Sequence, residues 1–166
     1  MVILGIDPGT ATTGFGVIEF KDVKLKMIDH GVITTNHKLP MPQRLKIIFD
    51  DLEKIIKSSK PDWIAIEQLF FAANTKTAIS VGQARGVVLL AAQKADLNIA
   101  EYTPLQVKQA VTGYGQATKK QIQQMVKTIL NLKLIPKPDD AADALAIAIC
   151  HSAAVKNRLI KNEHLP

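Results

Sequence analysis

Four carboxylates stand where a folded chain could put them to chemical use: Asp7, Glu67, Asp140 and Asp143. Asp7 ends a short apolar run and precedes Pro8-Gly9-Thr10, a turn whose glycine lets a ligand approach the backbone closely. An aspartate that merely starts a turn is the plain alternative. Glu67 closes Trp63-Ile64-Ala65-Ile66-Glu67. A carboxylate beside such apolar neighbours needs a partner or a metal, unless the strand end is exposed. Asp140 and Asp143 lie three apart at the start of an apolar helical stretch and share a face. Asp139 and Asp143, four apart, share one too, so spacing alone does not choose between Asp139 and Asp140. Favourable interaction with the helix dipole is the other role open to these acids, and Asp139 is the natural N-cap.

Together the four are hard oxygen donors with no soft ligand nearby. Packed within a few ångströms they would repel and raise one another's pKa unless cations neutralised them. Magnesium tolerates such a set and fills its shell with water and substrate phosphate. Two such ions about 4 Å apart clamp the attacking and leaving oxygens of a phosphodiester displacement. Charge distribution supports a polyanionic substrate. The net charge is +6, and residues 68–138 hold nine basic residues against only Asp96 and Glu101. No acid occurs from Tyr102 to Pro138, and this basic block lies between the two acidic motifs.

Hydrophobic patterning then supplies elements to carry these residues. Residues 2–7 and 13–20 read as a hairpin with Asp7 at the end of its first strand, and 23–35 as a third, antiparallel strand. Leu45, Ile48, Phe49, Leu52, Ile55 and Ile56 fall at helical spacing within 42–58. Residues 63–67 read as a buried parallel strand. A long helix over 75–95, a strand over 97–102 and a short helix opened by Thr103-Pro104 follow. Gly113-Tyr114-Gly115 breaks that helix, and Thr118-Lys119-Lys120-Gln121 caps the next. The last helix runs from Asp139 to about 154. The expected fold is α/β, a mixed central sheet flanked by helices on both faces.

At 166 residues and 47% hydrophobic content the chain suits one domain, expected over 1–155 with a short tail over 156–166. No apolar run is long enough for a membrane span, and the N-terminus carries no secretory pattern. One cysteine, Cys150, suits a reducing compartment, and four scattered histidines give no zinc spacing. The expected location is the cytoplasm, beside the nucleoid.

Several motifs carry a resemblance. Ile3-Leu4-Gly5-Ile6-Asp7-Pro8-Gly9-Thr10 with Thr13-Gly14-Phe15-Gly16-Val17-Ile18, and Ala65-Ile66-Glu67-Gln68-Leu69-Phe70, resemble the crossover junction endodeoxyribonuclease RuvC family. So do Val81-Gly82-Gln83-Ala84-Arg85-Gly86-Val87, Gln106-Val107-Lys108-Gln109 and Asp140-Ala141-Ala142-Asp143-Ala144-Leu145-Ala146, which follow in the family's order. The resemblance implies an RNase H-like fold, a homodimer, a branch-migration helicase partner, and Mg2+- or Mn2+-dependent hydrolysis of Holliday junctions with two ions per site. It places the catalytic, metal-holding carboxylates on Asp7, Glu67, Asp140 and Asp143, and so leaves Asp139 as a cap. Basic residues at the cleft fall on Lys108 and Lys119, with Lys120 an alternative to the second. Phe70 takes the position that stacks on unpaired bases, while Phe71 stays undecided.

Other residues have weaker assignments. Ala78, Gly82 and Gly86 form a smooth stripe suited to core packing or to a dimer contact; Arg85 beside it has an open role. Thr13 and Gln68 are candidates to support the site. Competing functions are an RNA-processing nuclease of the same fold, an ATPase built on an Asp-x-Gly-Thr hairpin, and a binding module with a dead site. The ATPase needs two such lobes and finds one here.

Overall fold

The computed structural model describes residues 1–68 and 75–163, apart from the side chains of 75–77 and 159–163. Phe70 and Phe71 lie outside the described residues. In chain order the elements are β1 (Val2–Asp7), β2 (Thr12–Lys21), β3 (Lys24–Thr34), α1 (Met41–Ser59), β4 (Trp63–Glu67), α2 (Thr75–Lys94), β5 (Asn98–Tyr102), α3 (Pro104–Thr112), α4 (Lys119–Ile129) and α5 (Asp139–Glu163). They form a five-stranded sheet in the order β3-β2-β1-β4-β5. The first three strands pair antiparallel, while β4 joins β1, and β5 joins β4, in parallel.

Alternation along the strands sorts side chains into two cores. Leu4, Ile6, Val17, Ile64 and Ile66 face Ile48, Leu52 and Ile56 of α1 and Ala84 and Val88 of α2. Ile3, Ile18 and Ala65 face the other way, onto α5, with Val107 of α3 and Val126 of α4 completing that layer. Both faces are therefore covered, as the sequence pattern predicts. Fully buried side chains such as Ile48, Leu52 and Leu145 each contribute on the order of 2 kcal/mol. No helix is long and apolar enough to cross a membrane among the described residues.

Helix α5 lies unusually close to the sheet because the strands beneath it carry glycine. A Cβ on Gly5 would overlap the Ala144 carbonyl, and one on Gly14 would overlap the Asp140 carbonyl. At Gly16 it would come within 2.7 Å of the Leu145 side chain. Alanines 141, 144 and 148 on the helix keep the approach smooth, and all are buried. Lower on α5, His151 is hydrogen-bonded through Nδ1 to the Tyr102 hydroxyl at 2.7 Å and packs on Trp63 at 4.6 Å between ring centres. Burial, and then the Arg158 charge, push the His151 pKa down to about 4.

Two sequence expectations change. Helix α5 continues to Glu163 instead of ending near 154, because no glycine or proline interrupts it; Lys156, Asn157 and Arg158 are simply exposed on it. Asp139 is the first residue of that helix, and its carboxylate is held by Lys137 at 2.7 Å rather than serving as the expected cap. Arg85, whose role was open, forms a 2.6 Å ion pair with Glu101 and fastens α2 to β5.

Two outcomes follow from this packing. Gly14→Val should destabilise the protein by about 3 kcal/mol or more, since a backbone carbonyl cannot yield as a side chain can. Gly86→Ala, where an added Cβ meets nothing of the same chain within 4 Å, should cost far less thermal stability than Gly14→Val. Equal melting temperatures for Gly14→Val and wild type would refute the close-packing account. For His151, the unfolded state takes up a proton near pH 6.5 while the folded state resists until about pH 4. Stability should therefore fall as pH drops through that window, and His151→Gln should flatten this part of a melting-temperature profile.

Candidate active site

The site forms where β1 and β4 end side by side. Ile6 pairs with Ile66 in parallel register, so Asp7 and Glu67, each the last residue of its strand, project from neighbouring positions. Gly14 pairs with Asp7 across the hairpin and lies directly beneath Asp140. The glycine contact therefore sets the first turns of α5 beside the β1 end, and Asp143 joins Asp7 and Glu67 in one cleft of about 220 Å3. Thr13 is fully buried and its hydroxyl donates to the Gly9 carbonyl at 2.6 Å, which fixes the turn after Asp7. Beyond β4, the Gln68 amide donates to the Tyr102 carbonyl at 2.8 Å while its side chain is exposed.

Two capped helices supply the opposite wall. Thr103 and Gln106 form a reciprocal box at the start of α3, and Thr118 and Gln121 form the same box at α4. Lys108, one turn into α3, and Lys119, the first residue of α4, both line the cleft. Lys120 is exposed and does not line it. The adjacent lysines that sequence left unresolved thus face different ways. The Lys119 ammonium lies 2.9 Å from Asp143 Oδ2 and 3.9 Å from Asp139 Oδ2.

Burial first, and then mutual charge, disfavours ionisation of the acids in the cluster. Burial pushes the Asp7 pKa up to about 7, reinforced by the charges of Glu67, Asp143 and Asp140 and opposed by Lys119. Glu67 is raised by burial and by Asp143, with Lys108 opposing. Asp143 is raised by burial even though Lys119 donates to it. Asp140 does not line the cleft; it reaches the group through its charge on Asp7. As they stand, no three His, Cys, Asp or Glu donors among the described residues close around a single point.

This donor set nevertheless fits hard divalent cations. Its ligands are carboxylate oxygens, burial and then the neighbouring acids raise the Asp7 pKa to about 7, and its cleft opens to solvent beside two lysines. Sequence reading missed the partner of Asp139, since Lys137 looked like one more residue of a basic run. It also missed the capping box of α3, although Thr103 and Gln106 have the spacing recognised at Thr118 and Gln121.

Known proteins resemble this chain in sequence and fold. The family profile for crossover junction endodeoxyribonuclease RuvC matches residues 3–151. A protein of that name from Alkaliphilus oremlandii is 57% identical over 152 residues, covering 92% of this chain and 93% of its own. Among solved structures, Thermus thermophilus RuvC superposes with a TM-score of 0.88 at 36% identity, covering 95% of this chain and 97% of that one. The same protein in complex with Holliday junction substrate gives a TM-score of 0.86 at 34% identity, over 95% and 96% of the two chains. The fold is accordingly RNase H-like. With sequence and fold in agreement, the chain belongs to the crossover junction endodeoxyribonuclease RuvC family.

Proposed function

We propose that this chain is an endonuclease that resolves four-way DNA junctions, with Asp7, Glu67, Asp140 and Asp143 holding two divalent cations, Mg2+ or Mn2+. The observation that carries the reading is the shared cleft, in which Asp7, Glu67 and Asp143 face Lys108 and Lys119. When bound, such ions lower the pKa of an attacking water and take up charge on the leaving oxygen. Asp7, the deepest of the acids, holds the centre and must lose its proton to do so. Glu67 ligates from the neighbouring strand. Asp143 and Asp140 complete the set from the first turns of α5. Lys108 and Lys119 hold the phosphates of the strand across the cleft by charge-assisted hydrogen bonds.

A junction needs two symmetric cuts, and a two-fold dimer supplies two such clefts. The outer face of α2 supports this. Ile79 and Leu90 are 75% and 60% exposed, and Gly86 between them has open space where a side chain would stand. Phe70, outside the described residues, would stack on bases opened at the junction centre. A branch-migrating helicase is the partner the family resemblance implies.

Asp7→Asn should retain junction affinity within about twofold in chelator while losing cleavage in either metal. Undiminished cutting would refute the assignment. In chelator, the same variant should melt higher than wild type at pH 8. Asp7 has a folded pKa near 7 against 3.8 unfolded, so its destabilising effect is complete above pH 7. That gain should shrink as pH falls towards 4. Comparing a four-way junction, duplex DNA and structured RNA under magnesium tests the substrate: paired symmetric nicks confined to the junction are expected, and preferential cutting of RNA would overturn the reading.

A further inference from the structure

The cleft contains a positive charge of its own, placed on one of the oxygens a cation would need. Lys119 Nζ is 2.9 Å from Asp143 Oδ2. Its side chain is about half exposed (53%), so it is anchored at one end and free to swing at the other. The backbone at that end is fixed, because Lys119 is the first residue of α4 behind the Thr118–Gln121 box. Lys108 lines the same cleft without an ion pair among the described residues. The two lysines are therefore in different states: one is engaged by a carboxylate and the other is not.

A magnesium ion sits about 2.0–2.1 Å from its oxygen ligands. An ammonium hydrogen-bonded to the same Asp143 oxygen would then lie within a few ångströms of a second, doubly charged cation, in a site where Coulomb interactions are stronger than in water. The two compete for that oxygen, because like charges so close together repel. Asp139 Oδ2, at 3.9 Å, is the nearest other carboxylate oxygen, and Lys137 already offsets that residue's charge through Oδ1 at 2.7 Å. A released ammonium would remain in the cleft that Lys108 also lines.

We propose that Lys119 is a built-in counterion that the divalent cation displaces from Asp143, and that the displaced ammonium then binds a phosphate of the DNA strand. This rests on the reading of the carboxylates as cation ligands. Metal and DNA binding are thereby coupled through one side chain. Before the cation arrives, Lys119 offsets the repulsion among the acids and makes only a small contribution to DNA affinity. Afterwards its charge is available to the substrate. Lys119 is in this sense a positioning residue whose partner changes, whereas Lys108 serves the phosphate throughout.

The test compares wild type, Lys119→Met, Lys119→Arg and Lys108→Met. In the absence of DNA, titration calorimetry with Mn2+ should show Lys119→Met binding the ion about three- to tenfold more tightly than wild type, because a competing charge is gone. In chelator the same variant should melt lower than wild type, and with Mn2+ the difference should vanish or reverse. Junction affinity is then measured in chelator and in Ca2+, with strand integrity checked. Lys119→Met should weaken binding about tenfold in Ca2+ and hardly at all in chelator. Lys108→Met should weaken both alike, and Lys119→Arg should restore the Ca2+ value. Unchanged Mn2+ affinity, or an equal loss of junction affinity in the two conditions, would overturn the exchange. Absence of Mn2+ binding by wild type would instead defeat the underlying cation reading, so the two failures are distinguishable.

Discussion

The close approach of α5 to the sheet governs everything else. Gly5, Gly14 and Gly16 remove the side chains that would hold the helix away, and the alanines of α5 settle into the space. A helix resting on larger residues would stand farther out and carry Asp140 and Asp143 away from Asp7. Backbone-to-backbone contact of this kind has little slack, since protein interiors are close-packed and respond to single methyl groups. The geometry of the acids is thus decided by residues with no chemistry of their own.

Such closeness has an electrostatic cost. Several carboxylates crowd into a partly buried cleft, where burial alone already disfavours their charged forms. The two apolar cores on either side of the sheet supply the stability that lets the strain persist. Relief comes locally from Lys108 and Lys119, delivered by helices whose starts are fixed by paired threonine and glutamine caps. Aim therefore comes from capping chemistry, and charge from the residues one turn or less beyond it.

Much of this was legible in the sequence. Strand ends, apolar alternation and helix caps are local signals, and they located Asp7, Glu67 and α4 within a residue or two. The choice of Asp140 over Asp139 rested on the family resemblance, since spacing could not make it; Asp140 stands outside the cleft lining and acts on Asp7 through its charge. What remained hidden depended on contacts between distant segments. Lys119 and Lys120 are equivalent as letters, and only the rotation of α4 turns one into the cleft. The Lys137–Asp139 pair bridges a turn that a charge count reads as two unrelated residues. Helix α5 outran its expected end because polar residues after 154 resembled a tail, although an exposed helix is polar there too. Gly14 looked like part of a motif, and its purpose appears only with Asp140 lying above it.

The stack of Trp63 on His151 has a practical corollary. This chain contains one tryptophan, and that ring packs against the same helix that carries the acidic residues. Its indole emission is consequently a single-site optical reporter of whether α5 is seated on the sheet. Any partial opening that lifts the helix, and so dismantles the cleft while leaving the hairpin intact, would move that chromophore into water and register without an added label.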